Sequence, residues 1–120
     1  MSQPSTSDTE AIARRYFEAW TSGDRATVTT LLAPDFNFRA GDMAIDGRDQ
    51  FLSAGAFPRD ARTTMVAEAY QGGTGFQMYD AARGPRTVRI VEQLTVRDGV
   101  IKSSTFVADM SAFMALLRQS

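Results

Sequence analysis

Residues 87–96, TVRIVEQLTV, constrain the fold of this chain more than any other stretch. Val88, Ile90, Leu94 and Val96 fall on alternate positions, while the intervening Thr87, Arg89, Val91, Gln93 and Thr95 are mostly polar. That is the period of a β-strand with one face in a core and the other in water. A strand this long needs a second layer to cover its apolar face. Yet the middle member of the apolar series is Glu92, whose parity sends its carboxyl into the same interior. Two readings are open. Glu92 is satisfied structurally, by an arginine, a backbone donor or an irregularity of the strand. Or it is the acid or base of a cavity, with a pKa raised by loss of solvent.

The rest of the chain supplies the covering layer. Ser7-Asp8-Thr9-Glu10 has the spacing of a capping box, so a helix is expected from there to about Thr21. Its inner stripe holds Ile12, Tyr16, Ala19 and Trp20, with Ala13 and Phe17 beside them. Gly23 ends this helix, and Asp24 caps a second that carries Val28, Leu31 and Leu32 and stops at Pro34-Asp35. Phe36, Phe38 and Ala40 alternate on a short strand, Gly41-Asp42 turns, and Met43–Ile45 returns. Asp46 is placed to cap a short third helix with Phe51 and Leu52, closed by Pro58. Strands then follow over about 62–71, 75–80, 86–97 and 100–108, with turns at Gly72–Gly75, Ala82–Pro85 and Asp98-Gly99. Met110 to Leu117 adds a short helix or tail. Helices first and a meander of strands after them predict an α+β fold, helices packed on one face of a curved antiparallel sheet. One domain is expected over residues 9–120, behind a disordered tail of residues 1–8.

Composition removes whole classes of chemistry. The chain has no Cys and no His, which excludes thiol nucleophiles, disulfides, Ser–His and Cys–His dyads, and zinc sites built on imidazole or thiolate. No phosphate-binding glycine loop and no D-x-D-x-D-G run occurs, so neither cofactor nor metal is expected. A formal net charge of −1 gives no footprint for nucleic acid or acidic lipid. No apolar run reaches the ~18 residues of a membrane span, and the first residues lack the apolar stretch of a signal peptide. A cytoplasmic protein is expected, and basic charge drawn almost wholly from Arg is that of a GC-rich bacterial genome. Acid–base work must fall to Asp, Glu, Tyr, Arg or Lys102.

Several local patterns, in order, resemble the NTF2-like superfamily, and its SnoaL-like and ketosteroid-isomerase-like branch in particular. They are the aromatic-rich run IARRYFEAW (Ile12–Trp20), the turn Ser22-Gly23-Asp24, the helix end Leu31-Leu32-Ala33-Pro34-Asp35-Phe36, Asp46-Gly47-Arg48, and the hairpin Val96-Arg97-Asp98-Gly99-Val100-Ile101. The resemblance implies a cone, a bent sheet wrapped round the helices with an apolar cavity open at one end, and commonly a homodimer paired through the sheet. Tyr16 falls where the isomerases place an oxyanion-hole tyrosine, and Glu92 where they place a carboxylic acid on a long strand. The isomerases' proton-shuttling aspartate maps to Ala40, which cannot take a proton. The Arg-x-Asp pair of the fold's epoxide hydrolases has no match, since Arg89 and Glu92 fall on opposite faces.

The expected activity is therefore a cofactor-independent cyclase or isomerase acting on a small apolar metabolite, polyketide-, terpenoid- or steroid-like, with Tyr16 and Glu92 catalytic. Asp42 and Asp80 are auxiliary acid–base candidates. Trp20, Phe36, Phe38, Ala40, Met65, Phe76, Met78, Ile90, Leu94 and Phe106 are expected to line the pocket. A non-catalytic ligand-binding module and an epoxide hydrolase are the alternatives.

Overall fold

The computed structural model describes residues 4–118. Its elements are α1 (Thr6–Ser22), α2 (Arg25–Leu31), β1 (Leu32–Ala40), β2 (Met43–Asp46), α3 (Arg48–Ser53), β3 (Arg62–Gln71), β4 (Thr74–Arg83), β5 (Arg86–Arg97), β6 (Val100–Val107) and α4 (Met110–Arg118). The strands form one curved, open sheet in the order β2-β1-β6-β5-β4-β3. α1 lies across its inner face and touches β3, β4, β5 and β6. The α+β architecture is the expected one, with one amendment: β1 runs parallel to β6, so the sheet is not wholly antiparallel. Bulges in β1, β3 and β6 interrupt the ladders. Such irregularities bend a strand and raise its twist, which fits the curvature.

The helix ends explain where sequence boundaries shift. Ser5, not Ser7, caps α1, its hydroxyl accepting the Asp8 N–H at 3.0 Å. Two overlapping capping patterns compete here, and the earlier one wins. Residues 6–8, expected in the tail, therefore belong to α1, and residues 1–3 lie outside those described. Gly23 closes α1 in the left-handed region at φ 79°, where a side chain would be strained. Asp24 caps α2 as expected, accepting the Thr27 N–H at 3.1 Å and the Thr27 hydroxyl at 2.7 Å.

α2 is not stopped by Pro34. The chain turns extended at Leu32, and Pro34 sits inside β1 within the bulged stretch opposite β6, where a missing N–H is tolerated. Asp46 does not cap α3 either. It ends β2 and pairs with Arg39 at 3.0 Å, while Gly47, at φ 100°, makes the turn into the helix.

Two apolar clusters fill the space between helices and sheet. One joins Tyr16, Ala19 and Leu31 to Phe36, Phe51, Leu94 and Val96. The other joins Tyr79, Val88, Ile90, Phe106 and Leu116. Trp20 and Phe38 pack against both. Along β5 the boundary between them falls at Glu92.

Candidate active site

β5 presents the face that its alternation predicts: Val88, Ile90, Glu92, Leu94 and Val96 are all buried. Glu92 is 2% exposed and is not an irregularity of the strand. Its donors come from the flanking strands. Tyr79 on β4 gives its hydroxyl to Oε1 at 3.1 Å, and Ser104 on β6 gives its hydroxyl to Oε2 at 2.7 Å. Tyr79 stands opposite Ile90 and Ser104 opposite Leu94, so each reaches Glu92 diagonally across one strand gap. No arginine approaches the carboxyl among the described residues.

Burial pushes the Glu92 carboxyl above the usual carboxylate range, and the bonds from Ser104 and Tyr79 work against that rise. Tyr16 rises from α1 into the same space. Burial, and then the nearby Glu92 charge, hold its phenol well above the usual range. Its hydroxyl is near enough for the carboxyl to feel it, yet its geometry falls short of a hydrogen bond to Glu92 or to any other group among the described residues. A buried donor left free in this way is available to an incoming oxygen.

The structure places Tyr16 and Glu92, paired by the sequence reading, in one space, and adds Tyr79 and Ser104, which that reading missed. The cause lies in β4, where the inward set is Gly75, Gln77, Tyr79 and Ala81 rather than Phe76, Met78 and Asp80. Phe76 is 46% exposed on the outer face of the sheet, and Met78 shares its parity. Asp80 is on that outer face as well, clasped by Arg89 at 2.8 and 3.0 Å. Asp42 is exposed in the turn between β1 and β2. Neither aspartate is hydrogen-bonded to Glu92.

An apolar pocket of about 160 Å³ opens beside this cluster. Trp20, Phe38, Ala40 and Phe106 line it, as expected, together with Phe51, Phe57 and the α4 residues Met110, Phe113 and Met114. The remaining expected lining residues lie elsewhere. Phe36 and Leu94 are packed in the core around Tyr16, and Ile90 and Met65 belong to the second cluster. Alternation alone cannot distinguish a core position from a cavity wall, because both are apolar and inward. Arg83 fastens the rim. Its guanidinium donates to the carbonyls of Leu116 and Leu117 at the end of α4, at 2.9 and 3.0 Å, and pairs with Asp60 at 2.8 Å.

Glu92, Tyr16, Tyr79 and Ser104 do not themselves line the pocket. Three aromatic rings on its wall neighbour them. Trp20 stacks on Tyr16, centroids 6.4 Å apart and planes within 7°. Phe38 stands opposite Ser104 across the β1–β6 pair, and Phe106 opposite Glu92 across the β5–β6 pair. The arrangement is an apolar chamber whose wall rings adjoin a hydrogen-bonded carboxyl and a phenol that completes no bond among the described residues. Among the described residues no group of three or more acidic side chains gathers to hold a metal ion, and no helix is long and apolar enough to cross a membrane.

Solved structures with this arrangement of helices and sheet include a proposed ketosteroid isomerase from Kribbella flavida DSM 17836, which is 24% identical, with 86% of this chain and 78% of that one aligned at a TM-score of 0.81. A proposed SnoaL-like polyketide cyclase from Jannaschia sp. CCS1 is 17% identical and aligns over 100% of this chain and 98% of its own, at a TM-score of 0.82. A LEH-like epoxide hydrolase from M. tuberculosis is 19% identical over 94% and 92% of the two chains, at a TM-score of 0.71. At these identities the likeness is one of fold. No sequence among the curated proteins matches. Residues 13–104 match the sequence profile of the SnoaL-like domain, and the chain belongs to that family.

Proposed function

We propose that this protein is a cofactor-independent acid–base enzyme, a cyclase or isomerase, acting on a small and largely apolar metabolite of polyketide-, terpenoid- or steroid-like character. The observation that carries this reading is the pairing of a buried Glu92 carboxyl, its pKa raised by desolvation, with a neighbouring Tyr16 hydroxyl that completes no hydrogen bond among the described residues. A fold that needed Glu92 only for stability would have no use for the second, unspent donor.

In this scheme the Tyr16 hydroxyl donates to an oxygen on which negative charge develops, a term often dominant in catalysis. Ala40 stands in the pocket wall where a base would be useful and cannot act as one. Glu92 therefore takes the proton from the carbon beside the carbonyl, or, when neutral, shares the oxyanion with Tyr16. Tyr79 and Ser104 are positioning residues: they fix the carboxyl and leave Tyr16 free. The aromatic walls fold a flexible substrate toward a reactive conformer.

Titration with substituted naphthols, followed by absorbance of the bound anion, tests the reading in wild type, Tyr16→Phe and Glu92→Gln. Affinity should track naphthol acidity and fall about tenfold in each variant, the loss of one hydrogen bond to a charged group. Binding indifferent to acidity and to both changes would favour the second reading, a ligand-binding module. The wholly apolar pocket wall supports that alternative. An epoxide hydrolase of the same fold would instead carry labelled oxygen from water into its product.

A homodimer through the outer face of the sheet accompanies this proposal. Phe76 and Val107 are large apolar side chains exposed there at 46% and 60%.

A further inference from the structure

We propose that Phe106 is the residue that decides which ligands reach Glu92: its ring partitions the apolar pocket from the buried carboxyl, and a ligand gains the acid only by taking that ring's place. The inference rests on the reading of Glu92 as the reacting acid.

Phe106 and Glu92 are opposite one another in the β5–β6 register and both point inward. Directly opposed side chains on antiparallel strands have Cβ atoms about 4.5–5.5 Å apart. Yet Phe106 is on the pocket wall and Glu92 is not. The Glu92 carboxyl is engaged sideways, one oxygen with Tyr79 and the other with Ser104. An ionised carboxylate can accept about four hydrogen bonds, so capacity remains on the side that Phe106 covers.

Of the three covering rings, Phe106 is the one that can yield. Trp20 is wedged among Tyr16, Phe51 and Phe57, and Phe38 leans on Phe51. Phe106 is held by Phe38 at 5.7 Å and by Phe113 at 4.9 Å. Phe113 belongs to α4, which is held to the core by Leu116 and at its end by Arg83, and Phe113 itself stands on the pocket wall, so the ring it contacts borders open space. A fused planar system larger than one phenyl ring and bearing a hydroxyl or enol oxygen, such as a naphthol, would replace the lost contacts to Phe38 and Phe113 and set its oxygen beside Glu92. A ligand too small to displace the ring stays above it, against apolar walls alone.

The test compares benzene with phenol, whose only added group is the hydroxyl, by titration of wild type, Glu92→Gln, Phe106→Ala and Phe106→Ala/Glu92→Gln. In wild type the phenol-to-benzene affinity ratio should move less than about threefold on Glu92→Gln, since neither ring reaches the carboxyl. In Phe106→Ala the ratio should rise about tenfold, and the double variant should lose that gain. Phe106→Leu, which leaves a smaller hole, should fall between, and it replaces the alanine variant if that does not fold. A ratio unchanged in both Phe106 variants overturns the partition. The naphthol titration separates this failure from that of the enzyme reading. Wild-type naphthol binding that ignores Glu92, combined with a raised ratio in Phe106→Ala, would keep the partition and sink the enzyme.

Discussion

Two tyrosines approach one buried carboxyl, and removing their hydroxyls should have opposite consequences. The Tyr79 hydroxyl donates to Glu92 at 3.1 Å in a site closed to water. A net hydrogen bond is worth about 0.5–1.5 kcal/mol between neutral groups and about 1.5–3 kcal/mol to a charged one. Tyr79→Phe should therefore destabilise the fold by about 1–3 kcal/mol. Unfolding entropy near 2.1 cal/mol/K per residue converts each kcal/mol into roughly 4 °C for a chain of this length, so Tm should drop by about 4–12 °C. The Tyr16 hydroxyl is equally buried but bonds to nothing among the described residues. Tyr16→Phe removes a desolvated group that brings no compensating bond, and stability should stay level or rise by up to about 1 kcal/mol. Thermal unfolding followed by near-ultraviolet circular dichroism, both variants in one buffer at neutral pH without ligand, gives the comparison. If Tyr16→Phe loses as much as Tyr79→Phe, Tyr16 is holding the carboxyl, and its role as a free donor to substrate oxygen is wrong.

Other outcomes follow from the same geometry. The Glu92 carboxyl has a higher pKa folded than unfolded, so its contribution to stability is full below the unfolded value, roughly 4.3, and is lost as pH rises through the folded one. Glu92→Gln lacks that loss, and the difference in Tm should shift in the variant's favour from about pH 4 upward, then level off; parallel curves would show that folding does not perturb the carboxyl. Phe76→Glu or Val107→Glu puts a charge on the outer sheet face and should convert the proposed dimer to monomer in sedimentation, a prediction that fails if wild type already sediments as a monomer. Asp80→Asn breaks only the outer-face pair with Arg89 and should leave the naphthol titration as it is in wild type. A changed titration would put Asp80 back in the site.

Legibility from sequence followed the strength of each local signal. β5 could be phased because Val88, Ile90, Leu94 and Val96 agree with one another and set Glu92 among them. β4 could not be phased by hydropathy, since Phe76 and Met78 on one parity compete with the half-polar Gln77 and Tyr79 on the other. The missing information is in the turn. Arg83 pairs with Arg86 across Gly84-Pro85, and counting outward from that two-residue loop sets Asp80 against Arg89, Tyr79 against Ile90 and Gln77 against Glu92. Strands facing each other share a face, so β5 fixes β4 once the register is known. Ser104 was hidden by its ordinariness, a small hydroxyl on a strand whose partner spacing is shifted by a bulge at Thr95/Val96. The separation of pocket from core needed three dimensions, because Phe36 and Phe38 are alike in sequence, and only the packing of α3 and α4 leaves space beside one of them.

The parallel pairing of β1 with β6 also fixes the order in which the molecule can assemble. β3, β4, β5 and β6 are joined by tight turns and can zip one after another, each strand meeting a neighbour already beside it. β1 has no such route: Leu32 must find Ile101, and Phe38 must find Ser104. Closing loops of that length is entropically costly before any contact rewards it, and non-local pairings of this kind slow folding. Ser104 steadies Glu92 within the β5–β6 hairpin, whereas Phe38 takes its place beside Ser104 only when the two ends of the chain come together. On the ribosome, a carboxyl already translated waits for a serine still to come, and until then the apolar face of β5 is open to the wrong partners.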